Sequence, residues 1–597
     1  MTLETRTDRR QSGGMPDTAG INFFEADANL RFVLEQHLSS ADLTLALPVL
    51  HEAGAVAGGR LDELARIADK NPPCLVHYDA RGQRVDEVKY HPAYHEMERI
   101  AFEQFGLTAI SHRPGLFGWA GTVPHAVKYA LSYVLIQSEF GLFCPVNMTD
   151  SLARVLRRFA EPELRERYVP RLTATRMDDL LQGAQFMTEK AGGSDVGATE
   201  TNAVWDGTWR LYGDKWFCSN VSADLMLTLA RPEGAPSGTR GLGLFLVPKQ
   251  WEDGTRNRHR INRLKDKLGT RDMASGEVTL DGAFAYQVGA LDRGFVQMME
   301  MVSSSRLSNA MRAAAMTRRG LLEATVHAGG RVAFGRTLDE LPLMRETLLD
   351  LTLDSESAIA AVIHTGTVYD RADRGSNDDA KLLRILTPLI KLSICKRARW
   401  STGESMEVRG GNGYIEDWVD PRLLRDAHLG SIWEGSTNVI ALDVLRAIGR
   451  EGADVVLVGD IERRLRGVGD PSVRELSSIV WSMLERLGGS IERVNALPGD
   501  ERELPARDLA ERLYLVYAAS LLIEEADAQA AQGSYRKLVI AAEFVRRRLT
   551  FQPEGWLGPR PGSTRWFDAI QRWVTIPAEA SADLISALGG RAAERGR

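Results

Sequence analysis

From about residue 22 to 183 apolar residues recur at three- and four-residue spacing, as in AVKYALSYVLIQ (126–137), and that period predicts amphipathic helices. Between 184 and 290 the texture changes. TWRLY (208–212), LMLTLA (225–230), LGLFLVP (242–248) and GEVTL (276–280) are short β-rich runs separated by Gly, Asp and Pro, which predicts strands. Long helical patterns return from about 291 to 450, and 451–597 is helical again with polar breaks. A helical block, a β block and further helical blocks predict segregated domains in a mainly α, α+β chain, not a βαβ wind. The expected divisions are a disordered tail (1–21), an N-terminal helical domain (22–183), a central β domain (184–290), a helical bundle (291–450) and an additional C-terminal helical domain (451–597). No internal repeat of fixed period is visible.

Composition narrows this picture. A chain of 597 residues is too long for a single compact core. Apolar content of 44% and charged content of 26% are those of a globular protein, and a net charge of −6 gives no global reason to expect nucleic acid. Cys74, Cys144, Cys218 and Cys395 lie far apart without metal-ligand spacing, which suits free thiols in a reducing compartment. The first twenty residues lack the apolar core of a signal peptide. LYLVYAASLLI (513–523) is about half the ~20 residues a membrane span needs, so it reads as a buried helix of a cytoplasmic protein.

Five segments could carry chemistry. FMTEKAGGSDVG (186–197) joins the helical and β blocks; its paired glycines allow close backbone approach to a ligand, and Thr188 and Ser194 offer hydroxyls. A polar interdomain loop is the plain alternative. GDKWFCSN (213–220) suits either a ring laid against a flat ligand or a strand whose alternate aromatics fill a core. GRVAFG (330–335) reads as a helix C-terminus with a surface Arg, and EVRGGNGYIED (407–417) as a tight turn. In SIWEGSTN (431–438), Glu434 stands between Trp433 and Gly435 ahead of a helix with an Ile440, Val444, Leu445 and Ile448 stripe. An acid there suits a general base or an ionic cap, and Ser436, Thr437 or Asn438 is the expected N-cap.

Taken in order, MTEKAGGSD, GDKWFCSN, RVAFG, GGNGY and IWEGSTN resemble the motifs of the acyl-CoA dehydrogenase family across roughly residues 90–450. NPPCLVHYDARG (71–82), HPAYH (91–95), CPVNMT (144–149) and RLKDKLGTRDMASGEV (263–278) are similar to its bacterial adaptive-response, AidB-like branch and extend the likeness to about 22–450. The resemblance implies that family's fold: a helical domain, a central β-barrel or sandwich and a helical bundle, here with an extra helical domain. It implies one FAD per subunit, at the junction of the β domain and the second helical domain. It places Met187, Thr188, Gly193, Ser194, Phe217, Cys218, Ser219, Trp433, Ser436 and Asn438 at the cofactor. Arg331, Phe334, Gly410 and Gly411 match positions that reach the FAD of a neighbouring subunit, which implies a dimer or tetramer. Two glutamines common in the family are replaced, by Pro342 and Glu407.

Glu434 then takes the position of the family's base, which removes an α-proton of an acyl-CoA while the β-hydride leaves to flavin N5, giving a 2,3-enoyl product. Electrons would pass to an electron-transfer flavoprotein. Two other readings follow from the same scaffold: a DNA-associated alkylation-response flavoprotein with weak or vestigial dehydrogenase activity, and a flavin oxidase of nitroalkanes or similar small acids that uses a different electron acceptor. For DNA, residues 451–597 hold 20 Lys/Arg against 22 Asp/Glu, a poor global footprint. A local cluster at 535–573 is better: Arg536, Lys537, Arg546, Arg547, Arg548, Arg560, Arg565 and Arg572 outnumber Glu543, Glu554 and Asp568, with Tyr535, Trp556, Trp566 and Trp573 interleaved.

Overall fold

The computed structural model describes residues 15–550 and 565–578. Packing groups the described residues of 56–123 and 138–308 into one compact unit, and those of 1–55, 124–137 and 309–597 into another.

The first unit holds the β structure. An antiparallel hairpin, β1 (Cys74–Tyr78) and β2 (Arg84–Lys89), interrupts the block expected to be helical. Its cause is local: the CLVHY and RVDEVK runs flank an Asp79–Gly82 turn in which the Asp79 carboxylate accepts from the amides of Arg81 and Gln83. The hairpin is pinned by Asp86, which is buried at φ 42° and accepts from Arg84 (3.0 Å), Arg256 (2.7 Å) and the Ile261 amide (3.1 Å), with His77 Nδ1 3.0 Å away.

The larger sheet comprises β3 (Gly183–Phe186), β4 (Asn202–Trp205), β5 (Trp209–Ser219), β6 (Leu225–Pro232), β7 (Gly243–Pro248), β8 (His259–Leu264) and β9 (Ser275–Gln287). Five strands close on themselves, β6–β4–β5–β9–β7–β6, so the domain is a barrel without free edges along that path. β3 adds parallel to β6, and β8 adds antiparallel to β9. The interior is filled by Phe186, Leu211, Cys218, Met226, Phe245, Val247, Val278 and Leu280, all buried. The runs that read as strands from sequence are these inward-facing rows.

The helical unit contains Ala28–His37, His125–Ile136, the part of Gly294–Gly330 from Asn309 onward, Pro342–Asp373, Asn377–Val408, Asp420–Gly430, Thr437–Glu451, Pro471–Ala496 and Ala506–Ala530. A short turn joins the two 32-residue helices, and Ser376 caps the second by accepting from the Asp379 amide. Thr437–Glu451 buries Ile440, Val444, Leu445 and Ile448, about 1.5–3 kcal/mol each at full burial. Ala506–Ala530 buries Leu513, Tyr514, Val516, Tyr517, Leu521 and Leu522 inside the protein. Among the described residues no helix is long and apolar enough to cross a membrane. Within the segment expected to be a disordered tail, Thr18 is buried and donates to Glu323 Oε1 at 2.6 Å, which anchors the described chain several residues before position 22.

Residues beyond 451 are stitched into the same unit by charge. Glu356, in the Pro342–Asp373 helix, receives Arg536 (2.6 Å) and Lys537 (2.8 Å), and Lys537 also bonds Glu525 and Asn29. All four ionic groups are buried, so each depends on its partners.

Candidate active site

In the barrel unit, two sequence segments form one structure. β3 ends at Phe186, and the chain turns tightly through Glu189–Gly192, closed by two reciprocal backbone bonds of 3.2 Å. Gly193 passes so close to Thr188 that an added Cβ would lie 3.1 Å from its methyl. The Trp216 amide donates to the Thr188 carbonyl at 2.8 Å, and Lys215 Nζ meets Glu189 Oε1 at 2.5 Å. Glu189 further accepts from the Thr201 hydroxyl (2.6 Å) and the Glu200 amide (2.6 Å), while Lys215 donates to the Leu229 carbonyl (3.0 Å). Burial pushes the Glu189 carboxyl up, but the Lys215 ammonium and these hydrogen bonds outweigh it and hold it below its ordinary value.

The register of β5 against β9 slips between Lys215 and Cys218: three steps on β5 match two on β9. This bulge breaks the alternation. Lys215 and Cys218 both point inward, and Phe217 is left 58% exposed. The reading of GDKWFCSN as a core strand with alternate aromatics inside is thereby corrected. Cys218 faces the other way. Its side chain is fully buried in the barrel core, with the thiol pushed up by burial, so it offers a ligand only backbone atoms. Lys265 Nζ lies 3.3 Å from the Trp216 ring centroid and 5.1 Å from that of Phe217, beside Glu277 at 2.6 Å. Ser219 Oγ lies 3.3 Å from Ser275 Oγ, Met187 is half-buried and Ser194 exposed.

In the helical unit, Glu434 occupies the turn between helices Asp420–Gly430 and Thr437–Glu451. Its φ is 56°, in the left-handed region that a side chain disfavours, and Gly435 follows at 101°. Contacts from two other helices help to hold this turn. Buried Lys391 donates from Nζ to the Gly435 carbonyl, and the buried Arg312 guanidinium lies 4.7 Å from the Trp433 ring centroid. One turn along from Lys391, Cys395 packs where Gly430 leaves no side chain, 3.5 Å from the position of an added Cβ. Ser436 is the N-cap residue, yet its side chain makes no capping bond and is exposed; Asn438 is exposed one residue into the helix.

Also in this unit, Arg331, Gly410 and Gly411 come together around a cleft of about 560 Å³, with His327, Ala333, Leu338, Val408, Arg409, Asn412 and Ile415. GRVAFG begins at a helix terminus, as expected, with Gly330 the last helical residue and Arg331 exposed, and a hairpin with a two-residue loop follows: Val332–Ala333 pairs with Arg336–Thr337 across Phe334 (φ 52°) and Gly335 (φ 77°). Phe334, at its tip, is 92% exposed. The GGNGY turn needs its glycines: Gly410 has φ 65°, and a Cβ on Gly413 would lie 2.1 Å from the Met406 carbonyl oxygen. Arg409 behind it is fixed by Glu323, Asp420 (2.8 Å) and the Pro16 carbonyl (3.3 Å).

Sequence reasoning missed Lys215, Glu189, His327, Lys391 and Arg312. The first two stood inside the quoted motifs with opposite charges, and His327 precedes Arg331 by four residues on a helix. Those spacings were the available signals.

The basic cluster proposed for DNA is occupied within the chain. Arg536 and Lys537 are the buried partners of Glu356. Arg547 pairs with Glu346 (2.9 Å), Asp350 (3.3 Å) and Glu543 (2.9 Å), Arg548 with Asp350 (3.0 Å) and Asp354 (3.2 Å), and Arg546 with Glu543. Arg572 faces Asp568, and Arg565 covers Trp566. Glu554, Trp556 and Arg560 lie outside the described residues. Arg547→Glu is therefore expected to cost about 3 kcal/mol of stability by setting like charges together. A urea midpoint equal to the parent's would show that these pairs carry no load.

Residues 14–179 match the adaptive response protein AidB N-terminal domain, residues 184–283 the acyl-CoA dehydrogenase middle domain and residues 292–449 the acyl-CoA dehydrogenase C-terminal domain. This chain belongs to the acyl-CoA dehydrogenase family. It is similar to acyl-CoA dehydrogenase family member 11 of Caenorhabditis elegans, 32% identical over 543 residues and 87% of each chain. It is similar also to AidB of Escherichia coli, 36% identical over 451 residues, 72% of this chain and 79% of that one. The crystal structure of C. elegans ACDH-11 in complex with C11-CoA superposes with a TM-score of 0.83 at 29% identity, covering 92% of this chain and 94% of that one. The barrel and the helix pairs described above are thus this family's fold, and the adaptive-response likeness includes the N-terminal domain and extends over 72% of the chain.

Proposed function

We propose that this chain is an FAD-dependent acyl-CoA dehydrogenase in which Glu434 is the base that removes the α-proton of an acyl-CoA thioester, giving the 2,3-enoyl-CoA. The observation that carries this reading is the backbone of Glu434. A non-glycine residue at φ 56° persists only where its surroundings over-determine it, and here Lys391, Arg312 and Gly435 do so. A mere helix cap would need no such conformation, and the capping position belongs to Ser436.

The residues present fit the cofactor. The buried His327 Nδ1 has no hydrogen-bond partner among the described residues, Gly410 and Gly411 offer backbone at the same cleft, and Ser436 keeps its hydroxyl unspent. Met187, Thr188, Gly193, Ser194, Phe217, Ser219, Trp433, Ser436, Asn438 and the backbone of Cys218 are the contacts we assign to one FAD, and Arg331, Phe334, Gly410 and Gly411 those we assign to the FAD of a neighbouring subunit. FAD, when bound, supplies the two-electron acceptor. Glu434 takes the proton, and its backbone N–H donates to the thioester carbonyl as negative charge develops there. Gly435 lets the turn close without a side chain.

The acyl-CoA substrate is supported by the relative solved with C11-CoA. Phe334, projecting from its hairpin, suits contact with a second copy, so we read a homodimer or homotetramer. An electron-transfer flavoprotein is the acceptor we expect. A cytoplasmic location suits cysteines that are all free. DNA association through 535–573 is not favoured, because its described arginines are engaged internally.

Flavin content tests the cofactor assignment. Purified protein is expected to carry FAD, and Arg331→Ala to lose it on dilution, with affinity lowered about tenfold or more. Equal flavin retention by the variant would remove Arg331 from the site.

A further inference from the structure

The cleft between the end of helix Gly294–Gly330 and the GGNGY turn contains a group that no motif marks and to which no role in binding has yet been given. His327 is 4% exposed, lines this cleft, and has Nδ1 buried without a hydrogen-bond partner among the described residues. A buried polar atom left so costs about 1–3 kcal/mol, so a water or a ligand group brought within hydrogen-bond distance of it is favoured. The surroundings define what that is. Arg331, exposed on the next turn, makes no ion pair among the described residues, and the Gly410–Gly411 turn exposes backbone in a conformation that leaves room for a ligand. A guanidinium, an imidazole and a glycine turn around one cleft are a phosphate-binding set.

We propose that His327 is a positioning residue for the dinucleotide cofactor, hydrogen-bonding a pyrophosphate oxygen beside Arg331 and coupling cofactor affinity to pH. This rests on the FAD reading above and adds to it a contact and a pH dependence.

The charged groups facing His327 set the sign. Arg331 stands just past the end of its own helix; Arg409 lies at the end of helix Asn377–Val408, backed by Glu323 and Asp420; Asp339 sits near Gly329 from the turn after the hairpin. Burial, then Arg409 and Arg331, push the free imidazole down to about 4. A pyrophosphate in the cleft neutralises those cations and favours the imidazolium. Proton and cofactor then bind cooperatively, so affinity rises as pH falls. Asp420, pushed up to about 6 mainly by burial, titrates in the same range, so the dependence belonging to His327 is the part that its substitution removes.

The experiment is release of FAD from the full-length holoprotein, followed by flavin fluorescence on dilution at several pH values between about 5.5 and 8. Wild type is expected to bind more tightly toward low pH. His327→Gln keeps a donor but cannot titrate, so it should match wild type near pH 8 and lose part of the pH slope. His327→Leu should bind about three- to tenfold more weakly throughout. Identical affinities and slopes in all three proteins would overturn the inference while leaving the FAD reading intact. A wild-type protein that holds no FAD at any pH would overturn the FAD reading and the His327 contact with it.

Discussion

Glu434→Gln is expected to keep FAD bound while slowing exchange of an acyl-CoA α-proton with solvent by about 10²–10⁴-fold. The amide has nearly the shape of the carboxylate, so the left-handed turn, the Lys391 bond to Gly435 and the Arg312–Trp433 contact should survive. What disappears is the basic oxygen. The check is deuterium wash-in at the α-carbon of a saturated acyl-CoA, with flavin absorbance confirming that the cofactor is present. Exchange at the parent rate would place the base elsewhere and reduce Glu434 to a structural residue.

The second large effect concerns stability. Lys215→Met should destabilise the protein by about 3–5 kcal/mol, because it leaves the Glu189 carboxylate buried without its counter-charge. A Lys215→Met, Glu189→Leu double variant should recover part of that loss, since a matched apolar pair has no ion to solvate. The pH dependence has a definite sign. The folded-state value of Glu189 is depressed, so its contribution is fully present above its ordinary value and is lost as pH falls through the depressed one. Urea unfolding at neutral pH measures the loss. A single variant as stable as wild type would mean that the Thr188–Trp216 junction does not depend on the pair.

The alternation of block textures was legible in the sequence because each period reports one kind of burial. LMLTLA and LGLFLVP are continuous apolar runs, and they became the paired central strands β6 and β7. The hairpin at 74–89 was not legible, being short, half-exposed and set within helical sequence. The exposure of Phe217 was hidden for another reason. It depends on the register of β5 against β9, some sixty residues away, and no local pattern encodes a bulge. Charge counting at 535–573 failed similarly: composition records that Arg536 and Lys537 are basic, but not that Glu356, 180 residues earlier, waits for them. Arg331, Gly410 and Gly411 were found through motif resemblance, and the cleft that gathers them also contains His327, which no motif marked.

The most direct measurement is an anaerobic titration of the purified protein with short, branched and long acyl-CoAs, following the visible absorbance of the flavin. Rapid bleaching by at least one class of thioester, abolished in Glu434→Gln, is the predicted result and would name the substrate range. A flavin-loaded protein that no thioester in the panel reduces would contradict the dehydrogenase assignment.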